Sequence, residues 1–452
     1  MSKFPFKLLI NCISPKKETT SLNCTSILRS VKNRRYVYDA TWGNKNVIAK
    51  VFNHTTFAKR HAKREWKGLN KLSARKINVP DPLFLGITET GDYVVVTEKI
   101  IDSTTALEKF HNTQNPDLKN HLLVKICIEV AFQHKAGVLQ KDFHLGNFIL
   151  AKENIYTLDP GQMQFFSQEV SKEKSISNLS MLLLYLSDDD KNTRDELCKK
   201  YYKLRNWQYE NQEELLIEKE IKYQRKKGIE HGLKKSLRTS KRFIRIKKGS
   251  VTAVFDKAFC GDIEALELIN QIDNIMLDGD ILKSGNACFV SHLSWNKSNI
   301  VIKRYNFKNL IHSLYHSAMN SRARNVWLYT QRLLMLGIPT PKPLAYIEKR
   351  RGSILWNSYI ITEYVEGRSL HFVLNDENLP DSDRAKTKKQ VEELLDKLWS
   401  YQITHGDLKH NNILITQNGP VLTDLDSMRV HKFNLSFKPK QAEDIERFNR
   451  KR

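Results

Sequence analysis

The sequence predicts an α+β chain built from two tandem domains, each a small β-rich lobe followed by a reduced helical lobe. Three observations carry this expectation. A loop pattern occurs twice, 265 residues apart: Gln140-Lys141-Asp142-Phe143-His144-Leu145-Gly146-Asn147 and His405-Gly406-Asp407-Leu408-Lys409-His410-Asn411-Asn412. In each copy an Asp precedes an Asn by five positions, and a second Asp follows that Asn by twelve, as Asp159 and Asp424. The segments before each loop also run in one order, which is how a repeated unit reads. At 452 residues the chain is long for a single core, which agrees with two domains.

Residues 1–30 show no clear pattern and are taken as an N-terminal segment. The first domain is expected over 31–235, ending in a basic helical tail, and the second over 236–452. In the first, residues 36–38 and 46–52 alternate as strands about the turn Trp42-Gly43-Asn44. Residues 58–73 are rich in helix formers, with Trp66, Leu69 and Leu72 at helical spacing, and Val79-Pro80-Asp81-Pro82 interrupts them. Residues 93–97 read as a buried strand, and 118–137 as a long helix ended by Gly137, with the loop directly after it. Residues 176–235 are helical and charged. A hairpin of 242–247 and 250–255 turns at Lys248-Gly249. Strands at 287–293 and 300–305, a helix at 310–336, a strand at 359–362 and a helix at 387–402 then lead into the second loop.

The net charge of +24 is concentrated. Residues 222–248 hold twelve Lys and Arg against one acid, Glu230. Such a run points to a polyanionic partner, whether nucleic acid, an anionic membrane surface or a phosphorylated substrate, with a solvated helix face as the plain alternative. Only Tyr223 and Phe243 interleave it, so nucleic acid ranks last. The hydrophobic fraction of 40% fits a globular chain. The longest apolar run, 181–186, is far too short to span a bilayer. Lys3 and Lys7 are followed by an interrupted apolar patch at 8–13, so no signal peptide is expected. The six cysteines are scattered with no C-x-x-C pair, as suits reduced, buried thiols in a cytosolic protein.

An Asp-x4-Asn pair closing on a downstream Asp is the catalytic and metal-binding loop set of the protein-kinase-like phosphotransferases. Phosphoryl transfer from ATP requires positioned phosphates, a held Mg²⁺ and an oriented acceptor hydroxyl. In the first domain Lys50, within Val47-Ile48-Ala49-Lys50-Val51, is the phosphate-binding candidate, and Glu65, fifteen residues on, its helix partner. Asp142 is the candidate base. Asn147 and Asp159 supply the hard oxygen ligands that Mg²⁺ prefers. In the second domain Lys303, Asp407, Asn412 and Asp424 fill the same roles, with Asp426 a third carboxylate. Two departures stand out. Gln140 replaces the loop His, and aligning Trp66 with Trp327 places Val326 where Glu65 stands, leaving Lys303 to another partner. A lysine in a strand or a D-x4-N pair is commonplace alone; ordered co-occurrence gives the set its weight, with Lys-to-Asp separations of 92 and 104. No convincing glycine-rich phosphate loop precedes either lysine, only Gly43, and Gly279 with Gly285. The absence of a Walker A pattern disfavours a P-loop nucleotidase.

The residues resemble the bacterial lipopolysaccharide-core kinases, the Kdo and heptose kinase family. The second loop, the segment Val301-Ile302-Lys303-Arg304-Tyr305-Asn306, and the stretch from Trp327 to Pro343, ending Leu336-Gly337-Ile338-Pro339-Thr340-Pro341-Lys342-Pro343, carry the resemblance, and residues 233–243 are similar to a stretch of tandem members. It covers most of 34–430. The resemblance implies ATP and Mg²⁺, phosphorylation of inner-core sugar hydroxyls, and a cytoplasmic protein peripheral to the inner membrane. Its partners would be an anionic glycolipid precursor and the anionic membrane surface.

Three other readings stay open. One is a RIO-like protein kinase or a small-molecule kinase like the aminoglycoside phosphotransferases. Only 28 residues follow Asp424, too few for an activation loop and a full helical lobe, which argues against a regulated protein kinase. Another is a tandem pseudokinase scaffold without turnover. The last is nucleic-acid binding through 222–248.

Overall fold

A computed structural model describes residues 4–31, 34–53, 56–187, 190–306, 320–352 and 354–450. The chain divides into two compact units, Met1–Lys226 and Lys227–Arg452. The division falls inside a helix that reaches the predicted boundary at 235.

The first unit opens with β1 (Phe6–Ser14) and β2 (Thr19–Val31), where the sequence shows no pattern. The reason is exposure: in β2 only Leu22 and Cys24 are buried, so no period-two signal survives. Next come β3 (Arg35–Trp42), β4 (Lys45–Phe52), α1 (Ala58–Ser73), β5 (Pro82–Thr88) and β6 (Tyr93–Glu98). The strands close a barrel in the order β1-β2-β3-β4-β6-β5, with β1 pairing antiparallel to both β2 and β5. At that closing seam a Cβ on Gly86 would stand 2.3 Å from Ile10 Cγ2, so glycine lets the strands meet. Val94 and Val96 of β6 fill the barrel with Ile10, Leu22 and Val47, while Val95 faces Leu69 and Leu72 of α1. Burial on both faces makes this strand read as one apolar run.

The chain continues through β7 (Ser103–Thr105), α2 (Ala106–Asn112), α3 (Pro116–Lys135), β8 (Val138–Gln140), β9 (Phe148–Ala151), β10 (Asn154–Thr157) and β11 (Met163–Phe165). Then follow α4 (Lys172–Leu183), α5 (Lys191–Leu204) and α6 (Asn211–Lys235). Asn115 caps α3 by accepting from the Asp117 N–H at 2.8 Å, and Pro116 takes the first helical position. Helices α3, α4 and α5 share a core with Leu123, Ile126, Leu179, Tyr201 and Tyr202.

In the second unit, β12 (Phe243–Lys248) and β13 (Val251–Asp256) form the predicted hairpin, followed by α7 (Asp262–Asp278), β14 (Asp280–Ser284), β15 (Cys288–Trp295) and β16 (Ser298–Tyr305). The predicted helix 310–336 lies partly outside the described residues; its described part is α8 (Arg322–Met335). With β17 (Pro343–Arg351) and β18 (Ile354–Glu363) the strands make one sheet, ordered β12-β13-β17-β18-β16-β15-β14. Helix α7 packs on one face through Leu268, Ile272 and Met276, and α8 on the other through Trp327. Neither α7 nor β17 belongs to the elements predicted from sequence. Leu344 to Glu348 of β17 are all buried, which removes the alternation.

The unit ends with β19 (Arg368–Ser369), α9 (Leu370–Leu374), α10 (Asp381–Ser400), β20 (Ile403–Thr404), β21 (Ile413–Thr416), β22 (Gly419–Leu422), β23 (Arg429–Val430) and α11 (Asn434–Asn449). Leu394, Leu398, Leu408, Ile413 and Leu425 form its core, each burial of a large side chain contributing about 1.5–3 kcal/mol. Both units therefore mix strands and helices. Among the described residues no helix is long and apolar enough to cross a membrane. All six cysteines are buried and free.

Candidate active site

In the first unit Lys50 lies on β4 directly opposite Val95, on the face that α1 covers. That placement lets Glu65 of α1, 4% exposed, reach down to it, and the two side chains form an ion pair. Asp159 Oδ1 meets the same Nζ at 2.6 Å, and Arg35 Nη1 lies 3.9 Å from that oxygen. Helix α1 can come this close because of two glycines. A Cβ on Gly68 would stand 2.7 Å from Pro160 Cβ, and one on Gly161 2.8 Å from Glu65 Oε2. The Gly161 N–H donates to Glu65 Oε2 at 3.3 Å, which ties the Asp159-Pro160-Gly161 turn to the helix.

In the second unit Lys303 lies on β16 and meets Asp424 Oδ1 at 2.6 Å and Asp426 Oδ2 at 2.9 Å. Asp426 also accepts from Arg322 Nη2 at 2.9 Å and from the Tyr305 hydroxyl. Val326, the residue aligned with Glu65, lines the cavity beside Lys303, so the missing helix carboxylate is replaced by Asp426. Asp159 and Asp424 share a left-handed backbone, with φ of +50° and +55°. A non-glycine residue pays about 1–2 kcal/mol for it, and its recurrence marks a constraint that both units keep.

The loops match in detail. Asn147 Nδ2 donates to the Asp142 carbonyl at 2.8 Å, and Asn412 Nδ2 to the Asp407 carbonyl at 2.8 Å. The Asn147 carbonyl accepts from Leu158 N at 2.8 Å, and that of Asn412 from Thr423 N at 2.9 Å, so each Asn is anchored beside the residue preceding the downstream Asp. With Nδ2 committed, Oδ1 is the amide atom left to face a cation in both loops.

The first loop position differs as the sequence indicates. His405, fully buried, donates from Nε2 to the Thr423 carbonyl at 2.9 Å; the partner is an acceptor, which sets the tautomer. Burial holds its pKa below the usual imidazole value. Gln140 instead donates to Gln133 Oε1 at 2.9 Å and accepts from Asn147 Nδ2 at 3.4 Å, while its carbonyl accepts from Asn178 Nδ2 at 2.8 Å. An amide network thus stands in for the imidazole.

The electrostatics are alike in both units. Burial works against the charge on Lys50, but Glu65 and Asp159 outweigh it and raise its pKa. Lys303 is likewise opposed by burial and raised by Asp426 and Asp424. Lys50 draws the Asp159 carboxyl down to about 2. Burial pushes Asp424 up, yet Lys303 prevails and its pKa falls.

Around the second set lies a cavity of about 470 Å³. Val290, Val301, Ile360 and Leu414 form apolar walls, and Lys303, Asp424 and Asp426, with the Asn412 amide, a polar end. The segment between Gly279 and Gly285, weak as a phosphate loop, is strand β14, and its Leu282 and Lys283 also line the cavity.

Two features escape sequence reasoning. Asp444 of α11, fully buried, accepts from the backbone N–H groups of His405 at 2.7 Å and Gly406 at 2.9 Å, so α11 braces the loop. Lys409 Nζ lies 3.0 Å from Asp407 Oδ2, where the first loop has His144. The repeated loop itself offered Lys409 as a signal; nothing in sequence singled out Asp444.

Residues 279–451 match the sequence model of the lipopolysaccharide kinase (Kdo/WaaP) family. Residues 21–182 match that of the RIO domain. The 3-deoxy-D-manno-octulosonic acid kinase of Haemophilus influenzae (strain PittEE) is 38% identical over 89 residues, 19% of this chain and 35% of that protein. That of Actinobacillus succinogenes is 34% identical over 124 residues, 27% of this chain and 46% of that protein. The chain spans less than half the length of these curated relatives. Among solved structures, the PknI kinase domain of Mycobacterium tuberculosis aligns at a TM-score of 0.28 and 14% identity, covering 36% of this chain and 71% of that one. So loose a likeness carries no argument. The resemblance drawn from the residues is borne out in the C-terminal region, while the first half matches a different kinase-like family.

Proposed function

We propose that this chain is an ATP-dependent kinase that phosphorylates a sugar hydroxyl, Kdo or heptose, of the lipopolysaccharide inner core at the cytoplasmic membrane face. One coincidence carries the reading. Lys303, Asp407, Asn412 and Asp424 belong to the stretch that matches the Kdo/WaaP family, and three of them line one cavity with apolar walls suited to a purine.

In this reading Lys303 binds the α/β-phosphates, with Asp426 and Arg322 holding its position. Asp407 accepts the proton of the acceptor hydroxyl as its oxygen bonds to the γ-phosphorus and the bond to the bridging β–γ oxygen breaks, releasing ADP. Asn412 Oδ1 and the Asp424 carboxylate fit Mg²⁺, being hard oxygen donors. Among the described residues no cluster of three His, Cys, Asp or Glu side chains could hold a metal alone. When bound, Mg²⁺ supplies neutralisation of phosphate charge. In the first unit Lys50, Glu65, Asp142, Asn147 and Asp159 take the corresponding roles.

The basic run 222–248 supports peripheral attachment to an anionic bilayer, each Lys or Arg near the surface contributing about 1 kcal/mol. Co-sedimentation with anionic liposomes is expected to fall as salt rises, and salt-independent binding would remove this part.

The RIO match favours a second reading for the first unit, as a kinase domain acting on a protein hydroxyl. The deciding experiment measures transfer from γ-labelled ATP to intact and delipidated core, with Asp142→Ala and Asp407→Ala tested separately in the full chain. Transfer to core should vanish with Asp407→Ala and survive Asp142→Ala. Full transfer by Asp407→Ala would overturn the assignment of the second unit, and no transfer by the unmutated chain would favour the scaffold.

A further inference from the structure

Helix α8 divides one face of the seven-stranded sheet in two. Residues directly paired across strands share a face, and one row crosses the sheet as Arg245, Val254, Tyr346, Ile360, Lys303 and Val290. Val326 and Trp327 of α8 pack on the middle of this row, against Val254, Tyr346 and Ile360. One end of the row enters the cavity around Lys303. At the other end Arg245 and Tyr346 enter a second pocket, of about 420 Å³, that shares no residue with the first.

The second pocket is cationic. Arg245 and Lys247 of β12, Arg324 of α8 and Arg350 of β17 line it against a single carboxylate, Glu348. Arg245 and Lys247 belong to the basic run 222–248, so part of that run is built into a sheet and aimed at one concavity rather than spread over a solvated helix. Arg245, Lys247 and Arg324 bring three like charges to one carboxylate, Glu348, which favours an added anion. Guanidinium forks match the oxygens of a phosphate group.

We propose that this pocket binds a phosphate group, borne by a soluble phosphomonoester or by a lipid headgroup. The inference concerns anion binding alone and stands apart from the kinase reading, whose residues lie in the other cavity. Phosphate binding is tested by calorimetric titration of the full chain with inorganic phosphate at constant ionic strength. The double variant Arg245→Ser/Lys247→Ser, and separately Arg324→Gln, should weaken binding at least about tenfold, while Lys386→Ser, exposed on α10, leaves it unchanged. Circular dichroism melting checks that each variant folds, and Arg324→Gln provides an independent measure if the double variant does not. Competition with phosphatidylglycerol vesicles names the source: displacement of phosphate by vesicles, lost in the same variants, assigns it to lipid, and an absence of competition assigns it to a soluble phosphomonoester. Wild-type affinity in both pocket variants, or an equal loss of binding in Lys386→Ser, would overturn the proposal.

Discussion

Lys303 Nζ lies 2.9 Å from Asp426 Oδ2, an ion pair that replaces the one Lys50 makes with Glu65. The two units hold a strand lysine by different routes. In the first, the partner comes from the helix packed over the strand. In the second, it comes from two residues past Asp424, and Arg322 of α8 binds the partner rather than the lysine. The helix still takes part, with its charge reversed.

This difference predicts different sensitivities. Asp426→Ala should weaken nucleotide binding to the second unit at least about tenfold, roughly 1.4 kcal/mol, because Lys303 keeps only Asp424. Glu65→Ala should act in the same way on the first unit. Equilibrium nucleotide titration of each variant checks this, and undiminished affinity in Asp426→Ala would mean that Asp424 alone suffices.

Asp444→Ala should destabilise the second unit by about 2–4 kcal/mol, since two buried N–H groups lose their acceptor. Its melting point should fall by about 5–10 °C. Calorimetry reads this directly. A change below about one degree would show that water replaces the carboxylate.

Two glycine substitutions should move stability in opposite directions. Gly68→Ala drives a methyl to 2.7 Å from Pro160 Cβ and should cost about 1–3 kcal/mol while loosening the Glu65–Lys50 pair. Gly228→Ala, in α6 with nothing within 4 Å, should stabilise by about 0.5–1 kcal/mol. Thermal melts of the two variants side by side test the contrast.

The ion pairs also set a pH window. The Asp159 carboxyl titrates near 2, below its unfolded value of about 3.9. Its contribution is therefore complete above about pH 4 and is lost as the pH falls towards 2. Lys50 is raised above its usual value, so its contribution is complete below about pH 10 and is lost at higher pH. Stability measured between about pH 5 and 2 should fall less steeply in Asp159→Asn than in the wild type. Parallel slopes would detach Asp159 from acid stability.

How much was legible depended on how local the determinant was. Lys50, Asn147, Lys303 and Asn412 declared themselves by residue type and spacing, because loop and strand positions a few residues apart are set by backbone geometry. Asp426 was visible as an extra carboxylate, but its role needed Lys303, 123 positions away in the chain. Asp444, and the Asn178 amide that holds Gln140, were invisible for the same reason. Strand β1 was missed because closing a barrel asks for little burial on its outer side.

The sequence by itself determined the repeat, the strands and helices nearest each loop, the paired Asp and Asn of each loop, and the candidate lysines. These follow from local periodicity and from the chemistry each side chain carries. Only the tertiary structure decided which carboxylate holds Lys303, what braces each loop, and how α8 parts the cavity around Lys303 from a cationic one. Those choices depend on the approach of segments far apart in the chain, and packing, glycine clearance and strand register set that approach.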